Sequence, residues 1–274
     1  MRALFDRRSW LALLGAICGL LLPVRADAQL PRQAQPTASD TLITTFYKDP
    51  RPERLTGLIA QLQASPAGQN WIAWPPTAGF LAFVFRAHPD QIVNLIPAKL
   101  DAKSAETISA ALRMSGQQVA YDKFQPRLVQ SGRDAQLSAE LANLPPRLED
   151  LRITTPSHLD ILWGASFASG DGKFVLMIVE YFARTADLDE SVALDVARTM
   201  VAIAGGPKEI LGQLRGRYGD AASRQIIFAA TALWAIQSNA RQHEFVERVV
   251  AKYIAEHPGA PAQKVLIATR PKGP

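Results

Sequence analysis

Residues 162–182, LWGASFASGDGKFVLMIVEYF, decide the fold class. Apolar side chains recur three and four apart on both sides of Gly170-Asp171-Gly172, the spacing of two helices that each bury one stripe, with a turn between them. Thr155-Pro156-Ser157 caps the first helix, predicted over 157–169, and the second is predicted over 173–184. The pattern returns at 233–253, LWAIQSNARQHEFVERVVAKY. There the same spacing pairs Trp163 with Trp234, Phe174 with Phe245, Val175 with Val246, Ile178 with Val249, Val179 with Val250 and Phe182 with Tyr253. An earlier stretch, FVFRAHPDQIVNLIPAKL at 83–100, fits less well, setting Ile92 against Phe174 and Ile96 against Ile178. The offsets between copies differ, and the consensus motifs of tetratricopeptide and HEAT arrays are missing, so no fixed-period repeat is expected. The expectation is an all-α protein, either an irregular array of stacked helical hairpins (α-solenoid-like) or a multi-helix bundle.

Working outward, a helix is predicted from Pro52-Glu53 to Ala64, with Leu55, Leu58, Ile59 and Leu62 on one face. Trp71-Ile72-Ala73-Trp74-Pro75-Pro76 reads as a packed connection before a helix over 77–87. Another helix starts at Pro89, with Ile92, Val93 and Ile96 facing inward. Further helices are expected at 102–114, 117–127, 133–144, 189–204, 208–217, 220–238 and 241–256. Pro145-Pro146 is the strongest internal punctuation, and a seam between lobes, if there are two, would lie at 145–156. The helical domain is thus expected over 42–258, after a flexible leader at 29–41. A tail at 259–274 is expected to hold a short extended piece at 265–268.

The block TPSHLDILWGASFASGDGKFVLMIVEYF at 155–182 resembles a segment of uncharacterised exported bacterial all-helical proteins. That resemblance implies a helical, exported protein and no particular activity.

Export is also readable in the first residues. Arg2, Arg7 and Arg8 precede an uncharged run from Ser9 to Val24, and Ala26-Asp27-Ala28 follows Arg25: a charged region, an apolar region and a small-residue cleavage signal at Ala26 and Ala28. Pro23 closes the apolar run short of a membrane span, so residues 1–28 read as a cleavable signal peptide, with no membrane span expected after cleavage. Asp6-Arg7-Arg8-Ser9-Trp10-Leu11 resembles a twin-arginine signal only in part, which favours the Sec route to a periplasmic or secreted location. Cys18, the single cysteine, leaves with the signal, so neither disulfide nor thiolate chemistry is expected in the mature chain. Removing four basic and two acidic residues from 30 and 25 leaves 26 against 23, a mature charge of +3. Such a balance, with no Lys/Arg cluster interleaved with aromatics, gives no nucleic-acid face.

The chemistry-bearing residue types are scattered. His158 and Asp160 are two apart on one helix and do not face each other. His243-Glu244-x-x-Glu247 has a glutamate where a zinc-protease helix needs its second histidine, so no metal site is expected. Gly164-Ala165-Ser166 lacks the strand and the Lys-Ser/Thr of a phosphate loop, and small residues there let helices approach. Asp171, Asp187, Asp189 and Glu190 sit where capping residues belong. No catalytic residue and no cofactor is expected. Trp71 and Trp74, beside two prolines, are the candidate partner or ligand contacts, with Trp163 and Trp234 assigned to the core. The leading expectation is a module that binds another protein or an envelope component. The alternatives are an envelope-acting hydrolase using scattered carboxylates and a carrier of a small apolar ligand.

Overall fold

The computed structural model describes residues 38–205 and 208–270, and every regular element among them is helical. The protein is all-α. The expected signal peptide with Ala26 and Ala28, most of the leader, and Gly206-Pro207 lie outside the described residues. The chain divides into two compact units. One takes the chain up to Arg152 together with Asp160–Gly170, and the other takes Ile153–Leu159 and everything after Gly170.

The first unit is organised by α3 (Trp74–Ala87), which follows α1 (Ala38–Thr45) and α2 (Leu58–Ala64). Helix α1 begins inside the stretch read as leader, because nothing after Pro36 breaks a helix and Phe46 anchors its end in the core. Helix α3 starts at Trp74, earlier than the sequence suggests. Pro75 and Pro76 occupy its first turn, where backbone N–H groups have no intrahelical partner and proline costs little. The helix is apolar all round and therefore central. Trp74, Ala78, Phe80, Leu81, Ala82, Val84 and Phe85 are buried, and Phe80 meets Phe46 edge-on with centroids 5.3 Å apart.

Helix α4 (Ile92–Leu95) is a single turn where a longer helix was expected. Pro97 drives Ile96 to an extended conformation and ends it, so Ile92 and Ile96 are buried while Val93 is exposed. Helix α5 (Ala102–Met114) packs on α3 and opens with a reciprocal cap between Asp101 and Ser104. Helices α6 (Gln118–Gln130) and α7 (Ala135–Glu140) follow, the second shorter than expected. Arg86 donates from Nη1 to both carboxylate oxygens of Glu149, at 2.8 and 3.0 Å, and so fastens the end of α3 to the turn at Leu148–Asp150.

Helix α8 (Pro156–Ser169) carries the glycine that the first unit depends on. A Cβ on Gly79 would lie 1.9 Å from the Ile161 carbonyl oxygen, and one on Gly164 would lie 1.9 Å from that of Pro76. Two glycines thus bring α3 and α8 into backbone contact, and Trp163 packs nearby, stacked on Phe167 at 5.9 Å.

In the second unit, α9 (Gly172–Ala186) contacts α10 (Glu190–Gly205), α11 (Lys208–Gln242), α12 (Glu244–Glu256) and α13 (Pro261–Thr269). A helix shared by four others makes this unit a bundle, since in a stacked array each repeat meets only its neighbours. The sequence match between α9 and α12 corresponds to real packing faces. Phe174, Val175, Ile178, Val179 and Phe182 are buried, as are Phe245, Val246, Val250 and Tyr253. Trp163 and Trp234 are not equivalent, because Trp163 is buried within the first unit whereas Trp234 is half-buried in the second.

Helix α11 turns at Gly219 (φ 73°), a left-handed position suited to glycine. Beside that turn the buried Asp195 carboxylate accepts from the Tyr218 hydroxyl and from Arg217, each at 2.8 Å. Residues 265–268, expected to be extended, lie in α13. Pro261 opens this helix and the three-and-four spacing of Ala262, Val265 and Leu266 gives it a buried face.

Candidate functional site

Among the described residues, a surface cleft in the first unit gathers chemically diverse side chains from three separate segments. Helix α2 ends at Ala64, and Ser65 closes the turn by donating to the Leu62 carbonyl (2.8 Å) and accepting from the Gly68 amide (3.0 Å). Gly68 lies so tightly on Leu62 that a Cβ would come within 1.9 Å of its carbonyl oxygen. The Gly68 carbonyl in turn accepts from the buried Trp74 indole N–H at 2.9 Å. Asn70 caps the next turn by accepting from the Ile72 amide at 3.2 Å. These constraints send Ile72 and Trp74 into the core and leave Trp71 half-buried at the surface.

Trp71 borders an open cleft of about 640 Å³ whose other walls come from α5 and the start of α7. Across the cleft Lys103 stands 3.5 Å from Asp134. Asp134 uses its other carboxylate oxygen to cap α7, accepting from the Leu137 amide at 2.9 Å, so its position is fixed by the helix it starts. The amides of Gln69, Asn70 and Gln136 complete the polar lining. Gln69 is held by donating to the Gln63 carbonyl at 2.9 Å. The charges balance, the polar groups offer donors and acceptors together, and the indole supplies the main aromatic surface.

Of the two tryptophans singled out in the sequence, Trp71 lies at this cleft and Trp74 does not: Trp74 is fully buried with its N–H satisfied, so the two indoles form no shared platform. Sequence reading missed Lys103, Asp134, Gln69, Asn70 and Gln136. Only the capping position of Asp134 carries a local signal, and it says nothing of the lysine on a different helix.

The remaining sequence candidates are dispersed. His158 Nδ1 accepts from the Thr154 amide at 3.2 Å, whereas Asp160 is buried. Loss of water, reinforced by the charge of Glu140, pushes the Asp160 carboxyl up to about 8. His243 is buried at the start of α12, while Glu244 pairs with Arg248 at 2.5 Å and Glu247 with Arg270. Asp171 and Asp189 cap α9 and α10, accepting from the Lys173 and Ser191 amides at 2.9 and 2.7 Å. Asp187 accepts from the Ala262 amide at 2.8 Å, and Glu190 pairs with Lys264. Among the described residues no group of three or more His, Cys, Asp or Glu could hold a metal ion, and no helix is long and apolar enough to cross a membrane.

Fold and site together define an all-helical protein with an open, charge-balanced cleft beside an accessible tryptophan. No family model, curated protein or solved structure matches the chain.

Proposed function

We propose that this chain is an exported binding module, delivered by the Sec route to the periplasm or beyond, that holds a partner protein or envelope component at the Trp71 cleft. The observation that carries this reading is the placement of Trp71. Its indole is held half-buried by the fixed turns around it and faces a cleft open enough to admit a partner. A large, rigid aromatic presented this way gives much contact area for little loss of side-chain freedom, which is why tryptophan is enriched among the residues that dominate binding.

The alternatives draw less support. A carboxylate hydrolase needs paired acids, and Asp171, Asp187, Asp189 and Glu190 are each engaged by a backbone amide or a lysine. A carrier of an apolar molecule needs a predominantly apolar pocket, and this cleft is lined mainly by amides and an ion pair. The test is crosslinked affinity capture from the host envelope with the full chain and its Trp71→Ala variant. A component held stoichiometrically by the first and lost by the second is expected. Equal capture by both would move binding away from this cleft.

A further inference from the structure

We infer that the Trp71 cleft takes an uncharged saccharide segment of an envelope glycan, an inference that rests on the binding reading above. Charge decides first. Lys103 and Asp134 stand 3.5 Å apart on one wall, so the cleft presents no net charge. An anionic ligand would have to approach Asp134 and a cationic one Lys103, and either would meet like charge at close range. Phosphate-bearing, sulfated and strongly basic ligands are therefore disfavoured.

The remaining lining then selects among neutral ligands. Beyond the bonds that hold them, Gln69 keeps its amide carbonyl, Asn70 its amide N–H₂ and Gln136 has both groups at the cleft, and Lys103 adds ammonium donors. A ligand matched to them carries groups that both donate and accept, as hydroxyls do. An indole meets the C–H face of a pyranose ring through dispersion and the attraction of polarised C–H groups for its π face, while the ring's equatorial hydroxyls point outward to the amides. Sugar rings join these two requirements in one molecule. An extended peptide would instead seek a strand edge or a series of apolar side-chain pockets. The described residues contain no strand, and the cleft offers one indole among polar groups.

The cleft is also pre-formed. Asp134 is fixed by its cap, Gln69 by its bond to Gln63, Asn70 by its cap on the Trp71 turn, and Trp71 by the buried anchor of Trp74 three residues on. Little ordering is needed on binding, which favours recognition of a flexible, hydrated oligosaccharide.

The experiment titrates the full chain with chitotetraose, maltotetraose and cellotetraose as neutral probes and with a sulfated heparin oligosaccharide as the charged control, read by calorimetry. Saturation-transfer NMR then locates the contact on the sugar. The expected result is binding of at least one neutral probe, with affinity falling about tenfold or more in Trp71→Ala and held within about fivefold in Trp71→Phe. Equal thermal midpoints for wild type and Trp71→Phe keep folding out of the comparison. Preference for the sulfated chain overturns the inference. No saccharide binding, with a protein captured from the envelope in a Trp71-dependent way, overturns the saccharide assignment and leaves the binding module standing. If neither saccharide binding nor envelope capture depends on Trp71, both readings fall.

Discussion

Adding one methyl group at Gly79 or Gly164 tests the close crossing of α3 and α8 on which the first unit depends. A Cβ at either position would sit 1.9 Å from a backbone carbonyl oxygen, whereas ordinary contact begins at 3.4 Å. The obstructing atoms belong to helical backbone and cannot swing aside, so the helices would have to separate by roughly 1.5 Å. That displacement loosens the packing of Trp74, Phe80, Ile161 and Trp163, all buried at or beside the crossing. Overpacked core substitutions cost about 1–3 kcal/mol, and a backbone clash that side chains cannot relieve belongs at or above the top of that range. Alanine's better helix propensity returns at most about 1 kcal/mol. Gly79→Ala and Gly164→Ala should therefore each lose about 2–4 kcal/mol. Gly212 and Gly216 supply the control within the same kind of element. Both lie in α11 with nothing within 4 Å of an added Cβ, so alanine there should gain about 0.5–1 kcal/mol. Urea unfolding followed by tryptophan fluorescence suits the measurement, because Trp71, Trp74 and Trp163 report on the first unit and Trp234 on the second, where the controls lie. If Gly79→Ala and Gly164→Ala unfold at the wild-type midpoint, the close crossing is wrong.

Asp160 should make the first unit more stable in acid. Its carboxyl is raised from 3.8 to about 8, so between those values the folded chain holds a proton that the unfolded chain releases. Stability from this group is complete below the unfolded value and is lost as pH rises through the folded one. Asp160→Asn should flatten that slope and stabilise the chain at about pH 8 relative to wild type; urea midpoints at about pH 5 and pH 8 that shift in parallel for both chains would refute this. In the second unit, Asp195→Ala should cost about 1–2 kcal/mol by removing the hydrogen bonds from Tyr218 and Arg217, whose groups water can then reach, and Tyr218→Phe about 1, with melting followed by circular dichroism. Trp74→Ala should cost about 3–5 kcal/mol, and Trp71→Ala less than half as much, because the first indole fills the core and the second lies at the surface. Equal losses in thermal denaturation would show that Trp71 is a core residue too.

Much of the helical plan was legible because spacing and punctuation agree. Asp101 and Ser104 start α5 where apolar periodicity begins, and Gly219 marks the break in α11. Two of the misread helix bounds share one physical origin: proline's effect depends on where in a helix it falls. Pro75 and Pro76 looked like interruptions yet sit in the first turn of α3, whereas Pro97 truncates α4. The repeat was legible as matched helix faces, but Trp163 and Trp234 occupy different surroundings, which local spacing cannot encode. At the cleft, the sequence pointed to Trp71 through its residue type and neighbours. It could not separate Trp71 from Trp74, because the difference lies in the fold of Ser65–Asn70 and in one indole hydrogen bond to Gly68. Lys103 and Asp134 come from different helices and meet only in three dimensions.

The most direct measurement compares the wild-type chain and Trp71→Ala, both tagged after Pro274 and expressed in the host envelope, by crosslinking, affinity capture and mass spectrometry of proteins and glycans together. A stoichiometric component retained by wild type and lost by Trp71→Ala, with both chains equally folded, is the predicted result. Identical capture by the two chains, or no captured component with either, would contradict a binding module that works through the Trp71 cleft.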